Sequence, residues 1–330
     1  MTLPKKFQAL IANQSGSSLG QFDLDELDPG DVVVRVAYCA LNFKDSLAAN
    51  GNPGVARKFP LIPGIDAVGE VIQSSDSRFA VGQQVQIGHA DFGTSHHGAM
   101  AELVRVPGDW VYELPQGSDS SFDLKTTVVW GTAGFTAAQS VEKIVEHGVT
   151  PDSGEVLVTG ATGGVGIFAV KLLARLGYRV VASTGKTERH DWLRENGAVE
   201  ILTREDLDDL SKKPLLKSRW AAAVDTVGGN TLATVLRSTQ PYGCVTACGL
   251  VAGHELPVTV YPFILRGITL CGISSALIER ESRIRLWSKI AQQWNMELDT
   301  ISNEVTLQEL PAAIQAITNG NIAGRTIVKM

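Results

Sequence analysis

The stretch Glu155-Val-Leu-Val-Thr-Gly-Ala-Thr-Gly-Gly-Val-Gly166 reads as a buried strand running directly into a glycine-rich turn. Val156, Leu157 and Val158 form the unbroken apolar run of a parallel strand covered on both faces. Ala161, Gly163 and Gly166 follow at the spacing A-x-G-x-x-G, with Ala where a dinucleotide fingerprint has its first Gly. Beyond the turn, Ile167, Val170, Leu173 and Leu176 fall on one helical face, and Gly177 closes the helix. A pyrophosphate needs backbone N–H groups that no Cβ obstructs, beside the positive end of a helix dipole. Strand, turn and helix in this order supply both.

The next strand, predicted over 178–182, ends at Ser183-Thr184-Gly185-Lys186. An NAD site calls for a carboxylate about 20 positions past the glycines, to hold the ribose 2′-hydroxyl. The chain has none near Ser183. Hydroxyls at Ser183 and Thr184, with the ammonium of Lys186 and Arg189 close behind, suit a 2′-phosphate dianion instead. The reading is NADPH.

With 330 residues the chain has length for two domains. Apolar residues at 44% and charged ones at 19% give an ordinary globular balance. A net charge of −6 argues against a nucleic-acid binder, which must neutralise phosphates with a basic face. No apolar run approaches the ~20 residues of a membrane span. The N-terminus reads as a first strand rather than a signal peptide. Cys39, Cys244, Cys248 and Cys271 are scattered through apolar contexts, as buried reduced thiols of a cytoplasmic protein would be.

Short strands are predicted over 32–39, 67–72, 84–87 and 101–106, separated by turns such as Pro29-Gly30-Asp31 and Pro107-Gly108-Asp109. From residue 124 helix and strand alternate, with later strands at 221–225, 244–248 and 269–273, each preceded by a helical segment. This is the pattern of a doubly wound parallel sheet. Helices over 279–293 and 307–317 and a strand over 324–329 do not fit inside that sheet. The expected organisation is a β-rich domain over 1–123, a nucleotide-binding domain over 124–276, and a segment 277–330 that returns to complete the first.

Several motifs in series carry a family resemblance: Leu41-Asn-Phe-Lys-Asp-Ser46, Phe59-Pro-Leu-Ile-Pro-Gly-Ile-Asp66, Gly131-Thr-Ala-Gly-Phe-Thr136, Thr159-Gly-Ala-Thr-Gly-Gly-Val-Gly166, Ala223-Val-Asp-Thr-Val-Gly228, Pro262-Phe-Ile-Leu-Arg266 and Gly324-Arg-Thr326. The chain resembles the medium-chain dehydrogenase/reductases, in their zinc-independent, quinone-oxidoreductase-like branch, and within it the acrylyl-CoA reductase (NADPH) group. The resemblance implies an α/β fold, with a GroES-like catalytic domain and a Rossmann domain holding NADPH in the cleft between them, and a homodimer formed through Rossmann edge strands near Leu270. Zinc enzymes of the family place metal ligands where this chain has Asn42 and Ile65; neither suits zinc, and no metal is expected. His96 and His97, with His89 and Asp91 upstream, read as a loop rather than a ligand set.

The same resemblance makes Asn42 and Asp45 the catalytic candidates and puts Phe43 against the nicotinamide. Thr132 would lie under the nicotinamide ribose or phosphate. Thr162, Gly163, Gly164 and Val165 would hold the pyrophosphate, and Thr184, Gly185 and Lys186 the 2′-phosphate. Leu250, Ile264, Ser275 and Asn319 carry over to the nicotinamide end. The group commonly has Tyr where this chain has Phe43, which cannot donate a proton; water, the Asn42/Asp45 pair or a substrate group must do so. Arg57 and Lys58 are candidates for the phosphates of a CoA thioester.

The implied reaction is reduction of an activated C=C bond, with acryloyl-CoA going to propanoyl-CoA by hydride addition at the β-carbon. The partners are then a small-molecule substrate and a second copy of the chain, with neither nucleic acid nor membrane. Alternatives are an NADPH:quinone or enone reductase and a non-catalytic NADPH-binding regulatory protein.

Overall fold

The structure, a computed structural model, describes residues 4–117 and 122–330. The chain divides into two compact units, Met1–Thr132 with Ala276–Met330, and Ala133–Ser275.

In the first unit a hairpin, β1 (Lys6–Asn13) with β2 (Gly16–Asp23), precedes β3 (Val32–Leu41), α1 (Phe43–Ala49), β4 (Ala67–Ser74), β5 (Gln84–Ile87), β6 (Leu103–Val106) and β7 (Val111–Glu113). Helix α2 (Leu124–Glu146) crosses the division between the units. It is broken at Gly131, whose φ of 42° is a left-handed value that favours glycine. The expected boundary at 123/124 stands at the start of this helix. The chain instead changes unit just past the break, between Thr132 and Ala133.

The second unit holds β8 (Glu155–Val158), α3 (Gly164–Arg175), β9 (Arg179–Ser183), α4 (His190–Glu195), β10 (Ala198–Leu202), β11 (Trp220–Asp225), α5 (Gly229–Ser238), β12 (Thr239–Ala247), α6 (Tyr261–Arg266) and β13 (Thr269–Gly272). Its strands lie in the order β10-β9-β8-β11-β12-β13, all parallel. Counted from β8, that is the 3-2-1-4-5-6 order of a Rossmann sheet. Val156, Leu157 and Val158 are fully buried, as are Val180 and Val181 beside them, which is why these strands carry no polar alternation. Two features escaped the sequence pattern. Strand β10 is one, and the stretch before β11 is the other: it makes only a single 3-10 turn (Glu205–Leu207) where a helix is expected.

The chain then returns to the first unit with α7 (Arg280–Gln293), β14 (Ser302–Thr306), α8 (Leu310–Thr318) and β15 (Arg325–Lys329). Strand β15 lies between β14 and β3, antiparallel to β3, so the sheet runs β14-β15-β3-β4-β5-β7 with β6 also on β3. Val328 joins Leu10, Val34, Val71, Phe92 and Met100 in one buried core. Among the described residues, no helix is long and apolar enough to cross a membrane.

Candidate active site

Helix α1 begins with a reciprocal cap. Asp45 Oδ2 accepts the Asn42 backbone N–H at 2.8 Å and the Asn42 amide at 3.1 Å, and Asp45 Oδ1 accepts Ile65 N–H at 3.0 Å. Asp45 is fully buried. Burial pushes its carboxyl up to about 7, although the N–H donors favour the charged form. A carboxyl with no exposed surface and three donors on it ties α1 to the Ile65 loop. In this geometry it touches nothing outside the protein, whereas the sequence reading set it beside Asn42 as a catalytic group.

Asn42 Nδ2 donates to Asp66 Oδ2 at 2.9 Å, and Asn42 Oδ1 accepts from Arg325 Nη1 at 2.9 Å. Both amide hydrogens are therefore committed to carboxylates. Asp66 also accepts the Thr132 N–H, at 3.0 and 2.9 Å to its two oxygens, and the Thr132 hydroxyl at 2.6 Å. Thr132 is where α2 resumes after its break, and a helix start favours a carboxylate. Arg325 Nη2 stands 3.7 Å from Asp66 Oδ2, and Arg325 Nε donates to the Val129 carbonyl at 3.1 Å. A Cβ at Gly131 would approach Asp66 Oδ2 to 2.8 Å and Arg325 Nη2 to 3.0 Å, so glycine is required here by space as well as by its φ. Asp66 and Arg325 were quoted within motifs, but sequence reasoning gave them no role.

Phe43, the first residue of α1, is 43% exposed beside this network. Asn319 is exposed at the end of α8, whose Thr318 hydroxyl accepts from Asn50 at 3.1 Å. Lys58 holds both oxygens of Asp28, and Arg57 pairs with Asp91 at 3.6 Å, so both cations expected for CoA phosphates already have protein partners.

In the second unit, Thr162 and Thr184 join hydroxyl to hydroxyl at 3.1 Å, linking the glycine turn to the end of β9. Gly163 is the exposed N-cap of α3, with Gly164 and Val165 half-buried after it. Gly166 must be glycine for packing, since its Cβ would meet the Gly160 oxygen at 2.3 Å. The turn thus offers an open helix N-terminus to an anion. Thr184 N–H reaches Leu202 on β10, which carries Arg204 over Gly185; a Cβ on Gly185 would lie 2.5 Å from Arg204 Nε. Burial and the neighbouring charges of Arg189 and Arg204 lower the Lys186 pKa, while Glu188 opposes the shift. Three cations thus gather where the sequence pointed to Lys186 and Arg189. Arg204 was missed because the β9–β10 pairing, rather than proximity in sequence, brings it there. Leu250 and Ile264 are 66% and 68% exposed in the same unit, and Ser275 is half-buried.

The histidines do not form a ligand set. His97 Nδ1 accepts Ile62 N–H at 3.1 Å, and burial pushes its pKa down to about 4. His96 Nδ1 meets the His97 carbonyl at 3.0 Å, and His89 stacks on Trp110 with centroids 4.2 Å apart. Cys39 and Cys244 are buried and Cys248 and Cys271 half-buried, all four unpaired. Among the described residues no cluster of three His, Cys, Asp or Glu side chains could hold a metal ion.

Comparison with known proteins places these features. Residues 28–116 match the alcohol dehydrogenase GroES-like domain, and residues 164–292 match the zinc-binding dehydrogenase family. The residues of this chain do not fit the zinc of that description. The Asn42 amide nitrogen donates to two carboxylates, Ile65 is a hydrocarbon, and the Cys39 thiol is sealed in the core, where burial raises its pKa. The chain is 43% identical to the putative quinone oxidoreductase YhfP of Bacillus subtilis, over 98% of this chain and 99% of that one. The crystal structure of YhfP with NAD bound superposes with a TM-score of 0.92, covering 99% of this chain and 100% of that one. The chain is also 43% identical to the probable acrylyl-CoA reductase AcuI of Escherichia coli, over 97% and 98% of the two chains. The E. coli YhdH structure with bound NADPH has a TM-score of 0.91 at 42% identity, covering 98% and 99%. The chain belongs to the medium-chain dehydrogenase/reductase family, with acrylyl-CoA reductase and quinone oxidoreductase relatives alike across nearly its whole length.

Proposed function

We propose that the chain is an NADPH-dependent reductase of C=C bonds conjugated to a carbonyl, with acryloyl-CoA as its substrate. The observation that carries this reading is the Arg204 guanidinium over Gly185, with Lys186 close enough to feel its charge and that of Arg189, beside an open helix N-terminus. Gly163, Gly164 and Val165 would hold the pyrophosphate, and Thr184, Lys186 and Arg204 the 2′-phosphate. Bound there, the cofactor supplies a hydride.

The protein's own contribution follows from the network around Asp66. Asn42 has no amide hydrogen left to give, Asp45 is sealed, and Phe43 has no hydroxyl. None of them serves as the acid. Water reaching the exposed surroundings of Phe43 protonates the α-carbon, while Asn42 and Asp45 hold the start of α1 in place and Phe43 presents a flat apolar surface. The Thr132 hydroxyl donates to Asp66, so it faces a ligand only as an acceptor. A carbonyl substrate without conjugation would need a general acid or a Lewis acid on its oxygen, and Asn42, Phe43 and Asp45 offer neither. Quinone reduction is the second reading, favoured by the likeness to YhfP.

A cytoplasmic homodimer completes the proposal. Strand β13 is an edge of its sheet, and Val260, Tyr261, Ile264 and Leu265 ahead of it are exposed apolar residues. Sedimentation equilibrium should return twice the chain mass; a single-chain mass at micromolar concentration would refute the dimer.

Cofactor choice tests the nucleotide site. Lys186→Ala and Arg204→Ala should each weaken NADPH binding about ten- to a hundred-fold and leave NADH nearly unchanged, as expected for lost charge-assisted phosphate contacts. Equal losses for both nucleotides would remove the 2′-phosphate from this site. Substrate choice tests the chemistry. NADPH oxidation should be fastest with acryloyl-CoA, slower with crotonoyl-CoA and slowest with a simple quinone. A quinone rate above both thioesters would establish the second reading, and no oxidation with any acceptor would mean a non-catalytic nucleotide-binding protein.

A further inference from the structure

In the second unit the winding of the sheet reverses between β8 and β11. From β8 the chain steps outward through α3 to β9; from β11 it steps the other way, through α5 to β12. Right-handed crossovers then put α3 and α5 on opposite faces of the sheet. The turns that leave β8 and β11 therefore part, and a crevice opens above the strand ends. Val158 pairs with Val224, which makes Thr159 and Asp225 the next neighbours across the two strands, at the point where the turns separate. Both are fully buried.

The Thr159 hydroxyl donates to Asp225 Oδ1 at 2.7 Å and accepts the Thr226 N–H at 3.0 Å, while the Thr226 hydroxyl donates to the Thr159 carbonyl at 2.9 Å. Asp225 Oδ2 accepts the N–H groups of Gly228 at 2.7 Å and Val227 at 3.3 Å, which closes the turn after β11. A Cβ at Gly160 would collide with the Thr226 hydroxyl, so the two turns fit together only with glycine there. Burial raises the Asp225 pKa, and these donors, Thr159 foremost, oppose the rise by favouring the charged form. Both carboxylate oxygens are thus engaged within the protein. The opposite side of the glycine turn is anchored separately, by Ala161 N–H on the Ser183 carbonyl at 3.0 Å and by the Thr162–Thr184 pair. The turn is held on its β9 side by those bonds and on its β11 side through Thr159.

We propose that Asp225 is a positioning residue for the dinucleotide. Through Thr159 and the N–H groups of Val227 and Gly228 it holds the turn after β11 against the glycine turn, and so sets the crevice that receives the cofactor beyond its adenosine end. The inference rests on the NADPH reading above. It divides the nucleotide site into two parts. Lys186 and Arg204, assigned to the 2′-phosphate, follow β9 and β10, on the side of β8 away from β11. Loosening the β11 side therefore weakens the whole dinucleotide, which needs both turns in place, but leaves a fragment ending at the 2′-phosphate held as before. A carboxylate with only a general stabilising role makes no such distinction.

The test compares two ligands by titration calorimetry: NADPH, and adenosine 2′-monophosphate, which carries the 2′-phosphate but no pyrophosphate. Each is titrated into the wild type, Asp225→Asn, Thr159→Val, Thr159→Ser and the double variant Asp225→Asn/Thr159→Val, with urea unfolding of each protein alone to show that it is folded. The wild type should bind both. Asp225→Asn and Thr159→Val should each raise the NADPH dissociation constant about tenfold or more, as for a lost hydrogen bond to a charged group, and move that of adenosine 2′-monophosphate by less than about twofold. Thr159→Ser, which keeps the hydroxyl, should bind NADPH as the wild type does. The double variant should lose less than the product of the two single losses, because the residues act through one bond. Equal losses for the two ligands, or unchanged NADPH affinity in Asp225→Asn, would overturn the proposal. Should Asp225→Asn fail to fold, Thr159→Val decides by the same two criteria. A wild type that binds neither ligand would overturn the NADPH reading itself, and this assignment with it.

Discussion

The catalytic unit is organised around one buried carboxylate, Asp66. A carboxylate only 7% exposed is unfavourable unless it is paired and fully hydrogen-bonded. Asp66 meets that demand with the Thr132 backbone and hydroxyl, the Asn42 amide and the Arg325 guanidinium. Each partner imposes a constraint elsewhere. Thr132 can reach it only because Gly131 breaks α2. Asn42 can reach it only because Asp45 caps α1 at that point. Arg325 arrives on β15, so the C-terminal strand must insert beside β3 before the network closes. The last residues of the chain and a turn near residue 66 are therefore one structural decision.

This arrangement also explains why residues 42 and 65 do not fit a zinc ion. The position that could have offered a soft ligand carries an amide whose nitrogen already serves two carboxylates, and Ile65 beside it has only hydrocarbon. What remains is a buried, hydrogen-bonded polar wall next to an exposed aromatic ring. On the proposed reading such a wall would orient the substrate and leave proton delivery to solvent, a division of labour that suits an activated alkene or a quinone.

Much of the nucleotide unit was legible in the sequence because its signals are local. The apolar run at Val156, the glycine turn and the missing carboxylate near Ser183 lie within thirty or so residues and need no tertiary knowledge. Where the signal was non-local, the reading stopped short. Arg204 lies over Gly185 through strand pairing, and Arg325 reaches Asp66 and Asn42 from the last strand of the chain. Asp45 shows the opposite limit. Its spacing from Asn42 was plain, but spacing alone does not show that the carboxyl caps α1 and is buried in doing so. Strand β10 is a short edge strand carrying Glu200, so its own periodicity was a weak signal.

The claim that Asp66 and Arg325 act as a single unit on which the catalytic domain depends is tested most directly by a double-mutant cycle in urea unfolding. Asp66→Asn and Arg325→Met are each expected to lose about 3–5 kcal/mol of stability, because each leaves the other's charge buried without its partner. The double variant should lose far less than the sum, giving a coupling of at least ~1 kcal/mol. Losses that add to within about 0.5 kcal/mol would mean that the two residues are independent and that the site is not built on their pairing.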